Sequence, residues 1–134
     1  MEPRKVVEAY FQAVNENRLT DAAAYLAPDI QYWLVGEGSW KLGGSHDRDF
    51  ILGIHALMRD RFPAGVTVTL HRVIVEGEDV VAEVETHGTR RDGRLYNNRY
   101  AQLFVVRDGK IIGRREYMDT IHANDLFCGP LDPA

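Results

Sequence analysis

An α+β domain is expected, with helices packed on one face of a curved antiparallel sheet. Three observations predict it. Apolar residues recur at helical spacing in the first part of the chain, the period drops to two from Val66 onward, and Gly- and Asp-containing pairs punctuate that second part at hairpin spacing.

Val6, Val7, Tyr10, Phe11 and Val14 form one helical stripe, and Pro3 stands where a first turn tolerates its missing N–H. Asn15 to Arg18 breaks that pattern, and Thr20 is placed to cap a short second helix ending before Pro28. Ile30–Val35 is aromatic and β-branched and reads as a strand. Gly36–Ser45, with its glycines and Trp40, reads as a loop without the Gly-Lys-Ser/Thr ending of a phosphate loop. Asp47 can cap a third helix through Arg61, whose apolar side holds Phe50, Ile51, Ile54, Leu57 and Met58; Pro63 and Gly65 stop it. Four strands follow, about Val66–Glu76, Asp79–Arg90, Leu95–Arg107 and Lys110–Thr120, joined at Gly77-Glu78, Asp92-Gly93 and Asp108-Gly109, with a short tail behind them.

Residues 1–134 are expected to form a single domain, with 45% hydrophobic and 27% charged residues. A net charge of −4 favours neither nucleic acid nor an anionic membrane as partner. No apolar run is long enough to span a membrane, and the first residues lack the apolar core of a signal peptide. Cys128 is the single cysteine, which fits a reducing, cytoplasmic setting. Neither a metal nor a cofactor is expected.

The stretch YNNRYAQLFVVRDGKIIGRREYMDT, Tyr96–Thr120, together with the order of elements, resembles the SnoaL-like branch of the nuclear transport factor 2-like superfamily. The resemblance implies a cone in which a bent sheet and helices enclose a pocket, and a homodimer formed through the convex sheet face. Ketosteroid isomerase, limonene epoxide hydrolase, polyketide cyclases and non-catalytic binding domains share that cone, so it bears on fold more than on function. Anchored on Gly93–Asn97, the comparison with the hydrolase puts Glu116 where an aspartate activates water and Glu85 where another protonates the epoxide. Glu83 falls where the hydrolase has a bridging arginine.

Alternation places Val81, Glu83, Glu85 and His87 on one strand face and Val80, Ala82, Val84 and Thr86 on the other. The ordinary rule turns the apolar set inward and the acids to water. A two-residue Asp92-Gly93 turn with a three-residue loop around Asp108-Gly109 instead gathers Glu83, Glu85, His87, Asn98, Tyr100, Gln102 and Glu116 on one face. The resemblance selects this second register. The convex face would then hold Val80, Ala82, Val84, Ala101, Leu103 and Val105.

On that register the catalytic candidates are Glu116 as general base, Glu85 as protonated acid and Tyr100 orienting them. His87, Asn98, Glu83 and Trp40, with one of Tyr32 and Trp33, would hold a small apolar or amphipathic molecule; Trp33 is favoured as the inward one. His55 can reach the pocket mouth or face solvent, and Asp47 reads as a helix cap rather than as half of a metal pair with His46. Asp119 reads as structural, pairing with Arg99 or a backbone amide. Arg90, Arg91 and Arg94 read as solvated turn residues, and Cys128 has no base to activate it. The expected function is a cofactor-free acid–base enzyme of hydrolase, isomerase or cyclase type. The alternatives are a non-catalytic small-molecule binder and a protein-interaction module.

Overall fold

In the computed structural model, which describes residues 1–130, the elements run α1 (Pro3–Asn15), α2 (Leu19–Ala24), β1 (Leu26–Leu34), β2 (Gly44–His46), α3 (Arg48–Arg61), β3 (Val66–Glu76), β4 (Asp79–Thr89), β5 (Leu95–Arg107), β6 (Lys110–Met118) and α4 (Thr120–Cys128). The end of the expected tail, residues 131–134, lies outside the described residues. The strands form one curved, unclosed sheet in the order β2-β1-β6-β5-β4-β3. Every neighbouring pair is antiparallel except β1 and β6, which run parallel. No helix among the described residues is long and apolar enough to cross a membrane.

The helical stripe on α1 does what its spacing predicts: Val6, Val7, Tyr10 and Phe11 are buried against the sheet. Asp47 caps α3 by accepting from the Phe50 amide at 3.0 Å. Thr20 does not cap α2, which begins at Leu19 behind Arg18. Two elements were not anticipated. β2 is a short strand within the glycine-rich loop, and α4 follows the last strand directly, its first turn capped by Asp119 accepting from the His122 amide at 3.1 Å. Ala123, Leu126 and Phe127 supply its buried side.

The β4–β5 register is one residue away from the expected one. Val84 lies opposite Tyr100 and Thr86 opposite Asn98, so Glu85 lies opposite Arg99. The cause is the connection. Arg90 leaves the strand and turns inward, 1% exposed, to donate to the Asp125, Leu126, Gly129 and Pro130 carbonyls around the end of α4 and to Asp92. The hairpin therefore closes through Arg90–Arg94, with the Gly93 amide on the Arg90 carbonyl at 2.8 Å, rather than through a two-residue turn. A one-residue slip reverses a strand. Val80, Ala82, Val84 and Thr86 consequently face the core, while Glu83, Glu85 and His87 face outward.

The β5–β6 connection is also different, yet without reversing faces. Asp108 and Gly109 both have positive φ (52° and 77°) and make a two-residue turn, and Ile112 is then bulged out of the ladder. Glu116 lies opposite Gln102 and Met118 opposite Tyr100. The shift is even, so Asn98, Tyr100, Gln102, Phe104 and Glu116 remain on the inner face.

Candidate functional site

The helices and the inner sheet face enclose a cavity of about 90 Å³. Its wall is chiefly apolar, with Phe11, Leu34, Ile51, Met58, Val68 and Phe127 among the lining, and Trp40 and Leu42 on the glycine-rich loop side. Trp40 is fixed by donating from Nε1 to the Val35 carbonyl at 2.8 Å. The loop around it is tight because Gly43 packs on Gly36, where an added Cβ would meet the carbonyl oxygen at 2.2 Å. Those glycines serve the backbone's close approach.

Into this wall β6 projects Arg114 and Glu116, 6% and 5% exposed. The Glu116 carboxylate accepts from the Tyr32 hydroxyl on one oxygen and from Gln102 Nε2 on the other, the latter at 3.1 Å. Arg114 Nε stands 3.4 Å from Glu116 Oε2 in a buried ion pair and has no hydrogen-bond acceptor of its own. Its other nitrogens donate to the Tyr10 hydroxyl and to Gln102 Oε1, each at 3.0 Å. The guanidinium carbon also lies 5.2 Å from the Tyr10 ring centre, 5.5 Å from Phe11, 5.4 Å from Tyr32 and 5.3 Å from Phe104. Burial opposes the Arg114 charge, but Glu116, Tyr10 and Tyr32 more than offset it, and its pKa sits above the ordinary arginine value. Burial likewise raises Tyr32 well above the usual phenol range, with Glu116 adding to the effect, so this hydroxyl keeps its proton as a donor.

A second polar group borders the first. The Tyr100 hydroxyl lines the cavity and is 2.5 Å from that of Tyr96. Asn98 Nδ2 donates to the Tyr96 hydroxyl and to the Asp119 carbonyl, both at 3.0 Å. Asn98 is thus buried behind the cavity wall, where it holds the tyrosine pair and the entry to α4. Burial, then Tyr96 and Glu116, raises the Tyr100 pKa well above its ordinary value.

Of the residues singled out from sequence, Glu116, Tyr100, Tyr32 and Trp40 line the cavity. Trp33 does not. The parallel pairing of Tyr32 with Arg114 and of Leu34 with Glu116 turns Tyr32 and Leu34 inward, leaving Trp33 outside beneath Arg115, 4.4 Å from its ring centre. Glu85 is on the outer face, accepting from His71 Nε2 and Asn97 Nδ2, each at 2.8 Å, with Arg99 at 3.5 Å. The Asn97 and His71 hydrogen bonds, with Arg99 behind them, lower its pKa, the reverse of what a protonated acid needs. Glu83 is exposed beside Arg99 and His87 is exposed. The position where the hydrolase comparison has an arginine is thus an exposed glutamate, and the buried arginine beside Glu116 is Arg114.

Arg114 was open to discovery from the sequence, since it lies two residues before Glu116 and alternation gives both the same face. Tyr10 carried no such signal, because a helix-core tyrosine and a cavity tyrosine have the same spacing. His55 is buried at the cavity wall. His46 stacks on Phe50 at 3.5 Å and bonds the Leu42 carbonyl. The Cys128 thiol is pushed up by burial, which suits no nucleophilic role.

A family profile for the SnoaL-like domain matches residues 7–114. No curated protein matches the chain. Among solved structures it is similar to IdmH from Streptomyces antibioticus, a proposed polyketide cyclase, with a TM-score of 0.78, 22% identity, and 91% of this chain and 95% of that one covered. TerC, crystallised with polyporic acid, gives 0.77 at 19% identity, covering 93% of this chain and 97% of its own. An NTF2-like protein of unknown function from Burkholderia pseudomallei gives 0.78 at 21% identity, covering 95% and 98%.

Proposed function

Because the chain belongs to the SnoaL-like family, whose folds enclose a small-molecule pocket, we propose that it is a cofactor-free acid–base enzyme with Glu116 as the general base. The observation that carries this reading is the Glu116–Arg114 pair set into an otherwise apolar cavity wall. Two buried opposite charges are costly to desolvate and give little stability over an apolar pair. Their placement at a cavity is better accounted for by chemistry.

The pair suits removal of a proton from carbon next to a carbonyl. Glu116 takes the proton, the C–H electron pair moves into the new C=C bond, and the carbonyl oxygen gains the negative charge. Arg114 Nε, a donor without an acceptor, offers that oxygen a partner as the charge develops. The enolate can then be reprotonated from Glu116 at another carbon, or attack a second carbonyl within the same molecule, whose C=O electron pair moves to oxygen and takes the proton back from Glu116. Small apolar ketones and polyketide-like compounds are the substrates this arrangement suits. Tyr32 and Gln102 orient the carboxylate, and Tyr100 is the third polar group within reach of a bound molecule. The partner of the outer sheet face is, on this reading, a second copy of the chain.

The test is deuterium uptake at the carbon next to the carbonyl in a panel of small ketones, followed by NMR in heavy water. Wild type should accelerate uptake in at least one, and Glu116→Gln should slow it by about a hundredfold or more with binding retained. Glu85→Gln should leave the rate unchanged. A second reading, a non-catalytic binder, is favoured by one observation: both Glu116 oxygens already have protein partners. Ketone binding without any exchange by wild type would decide for the binder.

A further inference from the structure

His55 stands on α3, 8% exposed, and its Nδ1 is sealed from solvent without a hydrogen-bond partner. The other ring nitrogen, Nε2, lies 3.2 Å from the Tyr10 hydroxyl. That hydroxyl already accepts from Arg114, whose guanidinium can only donate. Tyr10's own hydrogen is therefore free to point at Nε2, and with Nε2 as the acceptor the ring proton is on Nδ1. Burial, with Arg114 and Arg59, lowers the His55 pKa to about 4, so the ring is neutral at pH 7 and carries that one N–H. A buried N–H without an acceptor is costly to leave unmade.

The setting of the ring gives this donor a use. A second hollow, of about 190 Å³, lies between the end of α1, α3 and the turn leading into β3. Val14, His55 and Met58 belong to the walls of both hollows and so form the partition between them. Val14 is short and branched, and His55 is tied to Tyr10. Met58 is unbranched with several rotatable bonds, and it is the part of the partition able to swing aside.

We propose that the ligand spans both hollows by displacing Met58, and that His55 Nδ1–H donates to an acceptor oxygen near the ligand's middle. The inference rests on the reading of the inner cavity as a small-molecule site, and it narrows the class that site takes. One oxygen would meet Arg114 and a second would meet His55, so the ligand is an elongated apolar molecule with at least two oxygens. A compact hydrocarbon or a mono-oxygenated one would leave His55 without a partner.

The experiment compares 1-phenylhexane-1,4-dione with 1-phenylhexan-1-one, which differ by one carbonyl, in calorimetric titrations of the whole protein. Wild type should bind the dione about tenfold more tightly, as expected for one buried hydrogen bond. His55→Phe should abolish that preference while still binding the monoketone. Met58→Ala should tighten the dione several-fold, since nothing then has to be displaced; an unchanged affinity overturns the spanning geometry. Imidazole nitrogen NMR on wild type needs no variant. The proton should reside on Nδ1 and its resonance should move with the dione but not with the monoketone; a proton on Nε2 overturns the assignment. Equal binding of the two ketones by wild type overturns the role of His55 and leaves the cavity reading standing. Binding of neither removes both.

Discussion

Burial, reinforced by Arg114 and Arg59, lowers the His55 pKa from 6.5 to about 4, and a pH dependence of stability is expected from it. The unfolded chain takes up that proton near pH 6.5, the folded one only near 4, so between those values the unfolded state binds more protons. The contribution is present in full above the upper value and is lost as pH falls through the window, by about 3 kcal/mol in total. Urea unfolding from pH 7 to 4.5 should show wild-type stability falling, with His55→Phe falling less; parallel curves would rule the effect out. The residues of the site were unevenly legible. Glu116 and Tyr100 could be read because the error in pairing β5 with β6 was even and kept their faces. Glu85 was misplaced because an odd error in β4 reverses every side chain on the strand. The ordinary rule, apolar residues inward, was the correct guide there, and the resemblance pointed away from it.

Elements were read better than the joints between them. The bounds of β3 and β5 agree with the hydrophobic alternation, because each strand is long and terminated by turn residues. The β4–β5 loop is not legible from its own residues, since its geometry depends on α4, whose residues read as a tail. Arg90 is the link. It inserts between the hairpin and the end of that helix, where several carbonyls point away from the helix and attract a cation. Arg90→Ala would take a donor from each of those carbonyls and from Asp92, although the Asp125 carbonyl keeps the Gly129 amide, the Gly129 carbonyl keeps Arg61 and Asp92 keeps the Arg94 amide. We expect a loss of about 3 kcal/mol, or roughly a 10 °C fall in Tm. Because Ala123 and Phe127 of α4 line the cavity, ligand affinity should fall with it. A variant as stable as wild type in thermal and urea unfolding would show that α4 holds its place without this arginine.

Across the whole molecule, the outer sheet face carries one row in which Ile74, Val81, Leu103, Arg115 and Trp33 follow each other from strand to strand. Ile74, Val81 and Leu103 are exposed, and so is Tyr117 in the adjoining row. The convex face is therefore less apolar than the sequence implied, because Val80, Ala82 and Val84 belong to the core. It remains an apolar band with Glu83 and Arg99 beside it, and it is the surface through which we propose that the chain pairs with its own copy. Leu103→Asp should convert a dimer into a monomer in sedimentation velocity at micromolar concentration, with the circular dichroism spectrum unchanged. A monomeric wild type under those conditions would count against the pairing.

The parallel ladder of β1 on β6 also carries an expectation for the order in which the chain assembles. It joins Leu26–Leu34 to Ile111–Glu116, so the Tyr32–Glu116 contact closes a loop containing nearly all the rest of the sheet. The β3–β6 meander consists of neighbours in sequence and carries little closure entropy, whereas β1 has to wait for it. In chevron experiments Val84→Ala, within the meander, should mainly slow folding, while Leu34→Ala should mainly speed unfolding. The reverse partition would place β1 in the nucleus. If β1 docks last, Tyr32 arrives with it, and the carboxylate of Glu116 gains its full set of partners only after the meander has formed.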